Sequence, residues 1–150
     1  MSTQTQTAIS VQTEEEVEQQ YLLFHSADLL IGVEVGYVME TLINTAITHL
    51  PLMPNYVRGV VNLRGEVIPV VDVRRHLGQY SETDDSMIVV NIDGMRMGIL
   101  VDRVDQMVKL YKSQIQPLPA RNTQRLLCGM ATLADGRTML VLDCPALLET

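Results

Sequence analysis

The residues of this chain with the chemistry to hold a metal or move a proton are three histidines, two cysteines and a set of aspartates. His25, His49 and His76 are scattered without ligand spacing, and no cysteine or paired carboxylate stands at a fixed offset from any of them, so no metal site is expected. Cys128 and Cys144 are too far apart for a Cys-x-x-Cys redox pair or a zinc knuckle; they read as two reduced core thiols, with spacing alone leaving a disulfide open. Asp93 and Asp135 each precede a glycine and belong to turns. Asp72, Asp102, Asp105 and Asp143 stand at the ends of strand-like runs, where a short carboxylate bonds local backbone. There is no Gly-rich phosphate loop followed by Lys, no dinucleotide fingerprint and no Gly-x-Ser-x-Gly elbow, and Ser26, Ser81, Ser86 and Ser113 read as loop residues. The expectation is a binding module without cofactor, not an enzyme. Arg64 is the exception: it stands at the tip of the turn Asn62-Leu63-Arg64-Gly65-Glu66, where a guanidinium offers several donors in a fixed fork to a carboxylate or carbonyl.

These residues must be positioned by strands. Of 150 residues, 47% are apolar and 19% charged, with one Phe and no Trp, which is a globular balance around an aliphatic core. The formal net charge of -7 repels nucleic-acid backbones and anionic lipid, and the densest basic stretch is Arg58, Arg64, Arg74 and Arg75. With so few aromatic platforms, an OB-like nucleic-acid binder is disfavoured. The start lacks a basic, apolar leader, and the longest uncharged run, Thr41 to Val57, is interrupted by Pro51 and Pro54, so no membrane span and a cytoplasmic location are expected.

Residues 1–19 are Ser, Thr and Gln followed by a glutamate run, and read as a disordered acidic tail; residues 20–150 read as the folded unit. Tyr21 to Phe24 and Leu29 to Val33 flank Ser26-Ala27-Asp28 as a hairpin. Val35 to Thr41 fits neither helix nor strand cleanly, since Val35, Val38 and Met39 have helical spacing while Gly36 weakens a helix.

Three hairpins turn on glycine. Counting outward from Arg64-Gly65 pairs Leu63 with Glu66, Val61 with Ile68 and Gly59 with Val70 on one face, and Asn62 with Val67, Val60 with Pro69 and Arg58 with Val71 on the other. Both faces are largely apolar, which predicts that something covers each. A second turn at Asp93-Gly94 pairs Ile92 with Met95, Val90 with Met97 and Ile88 with Ile99, a further strand follows over Val104 to Leu110, and a third turn stands at Asp135-Gly136. Pro145-Ala146-Leu147-Leu148 reads as one helical turn. Many short strands with glycine turns predict two small closed barrels, with the Thr83-Asp84-Asp85 loop as the boundary between them.

The segment from Pro54 to Arg74, PNYVRGVVNLRGEVIPVVDVR, resembles the central motif of the CheW family of chemotaxis coupling proteins. Two more blocks agree: Val89 to Val104, VVNIDGMRMGILVDRV, and Gly129 to Leu133 with its Asp-Gly turn. The resemblance runs from about Gln20 to Leu148. It implies an all-β fold of two five-stranded SH3-like β-barrels packed on a shared hydrophobic interface, which would cover the second face of the first hairpin. It implies an adaptor between the cytoplasmic tip of transmembrane chemoreceptors and the regulatory domain of the histidine kinase CheA, recruited to receptor arrays. Carried over by position, the receptor-facing residues are Val35, Val38, Glu40, Gly59, Arg64 and Gly65, with the valines as apolar floor, Glu40 and Arg64 as polar rim, and the glycines permitting close backbone approach. Kinase contacts are placed at Tyr56 and Arg74. The kinase's own regulatory domain shares this fold, but no phosphotransfer, ATPase or receiver segment accompanies the barrels here.

Overall fold

The computed structural model describes residues 17–81, 83–119 and 124–149. Eleven strands are formed by the described residues: β1 (Glu18–Ser26), β2 (Leu29–Glu34), β3 (Val38–Ile43), β4 (Val57–Leu63), β5 (Glu66–Asp72), β6 (Ser86–Ile92), β7 (Met95–Val101), β8 (Arg103–Tyr111), β9 (Gln116–Pro117), β10 (Leu127–Thr132) and β11 (Thr138–Leu142). One short helix, α1 (Val73–His76), follows β5, and 3-10 turns occupy Val35–Tyr37, Lys112–Gln114 and Cys144–Glu149. The last of these is the expected C-terminal helical turn. The ambiguous Val35 stretch divides into a 3-10 turn and strand β3.

The strands form two sheets, ordered β8-β1-β2-β11-β10-β9 and β3-β6-β7-β5-β4, which build the two SH3-like barrels. One has six strands rather than the expected five because the two-residue β9 is added to it. The barrels are not consecutive in sequence. Barrel B (β3 to β7) is inserted between β2 and β8 of barrel A, so the chain crosses at Val35–Tyr37 and again at Asp102. The Thr83 loop is therefore no boundary: it joins β5 and α1 to β6 inside barrel B. Nothing in local composition distinguishes a loop within a sheet from one between sheets.

Three apolar clusters explain how the strands are used. One lies inside barrel A (Tyr21, Leu23, Leu30, Leu110, Met139), one inside barrel B (Val61, Ile68, Val70, Met87, Val89, Leu100). The third joins the barrels, with Phe24, Ile31 and Val33 meeting Ile88, Val90, Ile99 and Val101, and with Cys144, Ala146 and Leu147 closing it. Because side chains alternate along a strand, Met87 and Val89 point into barrel B while Ile88 and Val90 point into the shared core.

The counted registers hold for Leu63–Glu66, Asn62–Val67, Val61–Ile68, Val60–Pro69 and Gly59–Val70, and for the whole β6–β7 hairpin. Arg58 does not pair with Val71; a bulge between Val57 and Gly59 gives that place to Val57. The prediction that both faces of the first hairpin are covered fails as well. Ile68 and Val70 are buried, but Val67 is 62% exposed and Pro69 is exposed, and only Val71 reaches the shared core. It is the β6–β7 hairpin that is dry on both sides.

Residues 1–16 of the expected tail lie outside the described residues. Glu18 and Gln19, assigned to that tail, instead open β1, opposite Tyr111 and Leu110. Ser26, read as a loop residue, is buried at the end of β1, where its hydroxyl donates to Gln79 Oε1 at 2.6 Å.

Candidate functional site

Arg64 and Gly65 both have positive φ, 51° and 85°, the signature of a type I′ hairpin turn, and Asn62 Oδ1 accepts the Gly65 N–H at 3.0 Å. This turn carries the Arg64 guanidinium off the end of β4 toward β3, the opposite edge of the same sheet. There it meets Glu40 bidentately, Nη1 to Oε1 at 2.8 Å and Nη2 to Oε2 at 2.9 Å. The hydrogen bond from Arg64 holds the Glu40 carboxyl below the usual carboxylate range, and Glu40 in turn raises Arg64. The Arg64 side chain remains 78% exposed. A second ion pair, Arg96 on β7 with Glu66 on β5, stands beside the first. Between the two pairs is a depression of about 120 Å³ floored by Met39, Leu63, Ile68 and Val89.

Val35 and Val38 are half-buried at the first crossover, and Val38 pairs with Val90 and packs on the shared core. A register shift separates Val38 from Glu40, so the alternation is broken there. Val38 accordingly faces the inter-barrel core while Glu40 turns to the mouth of barrel B. The floor and rim expected from sequence are thus split across a bulge rather than lining one surface.

The glycines divide. Gly65 lies in open space and serves the turn. Gly59 is buried at φ 142°, and a Cβ there would stand 2.0 Å from the Thr48 carbonyl oxygen. Its close approach is to this chain's own backbone, which corrects its assignment to a receptor-facing surface. Thr48 and Val60 exchange two backbone hydrogen bonds at this place, pinning the β3–β4 loop to the sheet edge.

Arg74 requires a larger correction. Its side chain is fully buried, so it cannot touch a partner. Asp72 caps α1, accepting from the Arg74 and Arg75 amides, and also receives Arg74 Nε at 2.8 Å. Arg74 Nη1 donates to Asp102 Oδ1 at 3.0 Å, and also to Ser81 Oγ and the Thr83 carbonyl. Arg58 joins through Asp72 and Asp84. Burial opposes the Arg74 charge, but the bonds to Asp72 and Asp102 outweigh it and hold the guanidinium above its ordinary range. Burial likewise pushes Asp102 up, and the bonds from Arg74, the Ala27 amide and Ser81 bring it below the usual carboxylate range. Since Ala27 belongs to the β1–β2 turn of barrel A and Arg74 to α1 of barrel B, this network, buried at Arg74 and Asp72 and partly exposed at Asp102, ties the two barrels together. Tyr56 is half-buried, with its ring 4.7 Å from that of His76.

Sequence reasoning missed Met39, Glu66 and Arg96 because the parallel pairing of β5 with β7, Val70 beside Gly98, leaves no local trace. It also missed an exposed apolar stretch, Ile43 at the end of β3 with Leu52 and Met53 in the loop that follows, although the uncharged run over Thr41 to Val57 was its signal. Cys128 is exposed rather than a core thiol; Cys144 is buried, its thiol pushed up to about 12 by burial, and both are free.

A family model described as the CheW-like domain matches residues 20–150. The chain belongs to the CheW-like family. It is 29% identical over 142 residues to the chemotaxis protein CheW of Klebsiella aerogenes, covering 91% of this chain and 85% of that protein. Protein FrzA of Myxococcus xanthus is 32% identical over 105 residues, covering 68% and 66% of the two chains. Among solved structures, the scaffolding protein TtCheW from Thermoanaerobacter tengcongensis superposes with a TM-score of 0.78 at 27% identity, over 85% of this chain and 90% of that one. The CheW-like family thus accounts for both barrels.

Proposed function

We propose that this chain is a non-catalytic adaptor that couples transmembrane chemoreceptors to a CheA-type histidine kinase, acting in the cytoplasm at receptor arrays. The observation that carries the reading is the Arg64–Glu40 pair: a bidentate ion pair, held by a fixed turn, whose guanidinium is left mostly exposed. An exposed pair contributes little to stability. Its use is recognition, since a partner carboxylate or carbonyl can share the free edge of the guanidinium without unfolding anything.

The receptor tip is read as a helical hairpin, taken up by Val35, Val38, Glu40, Arg64 and the Gly65 turn. Met39 and the Glu66–Arg96 pair extend that surface. For the kinase, Tyr56 remains as a contact, and the exposed Leu52 and Met53 beside it in the β3–β4 loop supply the apolar area that Arg74 cannot. Scaffolding requires two separate surfaces on one rigid body. The buried Arg74 network and the shared core give that rigidity.

The test is co-sedimentation with receptor-tip fragments and CheA, with kinase activity followed in parallel. Wild-type chain should raise kinase activity in the receptor-bound fraction, and Arg64→Glu should lose receptor capture while keeping its urea midpoint. Unchanged kinase activity with and without the chain would refute the coupling role.

A further inference from the structure

Strand β3 carries an extra residue where it runs beside β6: Val38 stands opposite Val90 and Glu40 opposite Val89, so Met39 between them has no cross-strand partner of its own. A bulge of this kind re-aims a side chain that strict alternation would have placed elsewhere. Here it leaves Met39 46% exposed, lining the depression between the Arg64–Glu40 and Arg96–Glu66 pairs with Leu63, Ile68 and Val89. Met87, Met97 and Met139 are buried. Met53, Met95 and Met107 are exposed as well, but they do not line that depression.

A thioether is flexible, polarizable and a weak hydrogen-bond acceptor, which suits an apolar floor. Among the residues that line the depression, Met39 alone carries sulfur. One added oxygen makes that side chain polar and gives it a strong acceptor. Donors for such an oxygen already stand at the rim. Glu40 takes two of the five N–H groups of the Arg64 guanidinium, and Arg96, on the other side of the depression, keeps 44% of its side chain in solvent.

We propose that Met39 is an oxidative modification site: a hydroperoxide converts its thioether to the sulfoxide, and this closes the Arg64 depression to a partner's apolar side chain. The sulfur lone pair attacks the terminal peroxide oxygen, and the S–O bond forms as the O–O bond breaks. The proton of the transferred oxygen passes to the departing one, which leaves as water or an alcohol. Sulfur gives up two electrons and the peroxide receives them. Two effects then act together. The floor becomes polar, and the new oxygen competes with a partner carboxylate or carbonyl for the guanidinium donors. The inference rests on the receptor-binding reading of this surface and adds a means of regulating it.

The experiment treats the full chain and its Met39→Leu variant with hydrogen peroxide, maps the oxygen added by peptide mass spectrometry, and measures capture of a receptor-tip fragment before and after. Met39 should gain its oxygen well before Met87, Met97 and Met139. At that stage the wild-type chain should bind the fragment about tenfold more weakly or worse, the loss expected from a polar group set into an apolar contact, with an unchanged urea midpoint. A methionine sulfoxide reductase should restore capture. Met39→Leu, whatever its starting affinity, should show no further change on treatment although Met53, Met95 and Met107 are oxidised. Undiminished capture by a wild-type chain whose Met39 is the sulfoxide would overturn the proposal, and so would an equal loss in Met39→Leu. Failure of the untreated chain to capture the fragment at all is a different result: it would refute the receptor reading, and the proposal would fall with it.

Discussion

The β4–β5 and β6–β7 hairpins are nearly the same object placed in two environments. Each turns on a residue with φ 51° followed by a glycine, at φ 85° in one and 87° in the other. Each is closed by an asparagine three residues before the glycine, Asn62 at 3.0 Å and Asn91 at 2.9 Å. Each pairs residue for residue below the turn, β6–β7 throughout and β4–β5 as far as Gly59 and Val70, and the two converge on the same guanidinium, through Asp72 at the end of β5 and Asp102 just after β7. Yet one is buried on both faces while the other leaves Val67 and Pro69 in solvent. The turn is a local property. The covering of a face is not, and it is the hairpin with the open face that carries the exposed arginine.

The sharpest way to break this comparison is to truncate matched positions. Ile99→Ala, in the shared core with no exposure, should cost about 2 to 5 kcal/mol in urea unfolding, as large core deletions do. A loss below 1 kcal/mol would mean that the barrels are not held by that core.

Next come the two glycines. Gly65→Ala and Gly94→Ala should each cost about 1 to 2 kcal/mol, the penalty of an L-residue in left-handed backbone, and should agree with each other. Unequal costs would show that the two turns differ in more than their surroundings.

The point where the hairpins meet is tested by acid. Asp102 is held below its ordinary range in the folded chain, so its contribution is present above about pH 4, the unperturbed carboxylate value, and is lost as pH falls through the folded value. Asp102→Asn should therefore flatten the acid limb of a stability–pH curve while leaving the slope above neutrality alone. A parallel downward displacement at every pH would count against it.

The smallest effect is expected at Val67→Thr, within about 0.5 kcal/mol because the side chain is already in water. A large loss there would mean that the open face is covered after all.

How much of this was legible in advance follows the same division. The Arg64 and Asp93 turns, the strand partners beside them and the C-terminal turn all depend on neighbours close in sequence, and counting from glycine found them. The pairing of Arg64 with Glu40 was half legible. Both residues were singled out, but as separate rim groups, since 24 positions lie between them and only the closing of barrel B brings them together. Arg74 misled the reading because a guanidinium is exposed in most proteins. Here Asp72 two residues earlier was the available signal: its expected bonding to local backbone is found in the cap of α1, while its second bond, to the Arg74 side chain, leaves no separate mark in the sequence.

By itself, then, the amino-acid order determined an all-β chain with particular turns, registers and alternating faces, because steric limits on φ and the two-residue period of a strand act locally. Only the tertiary structure decided which alternating face meets which core, that barrel B is inserted into barrel A, that a bulge turns Glu40 away from Val38, and that Arg74 is buried. Those outcomes rest on contacts between residues far apart in the chain. Alternation says that a strand has two sides, and packing alone says what stands against each.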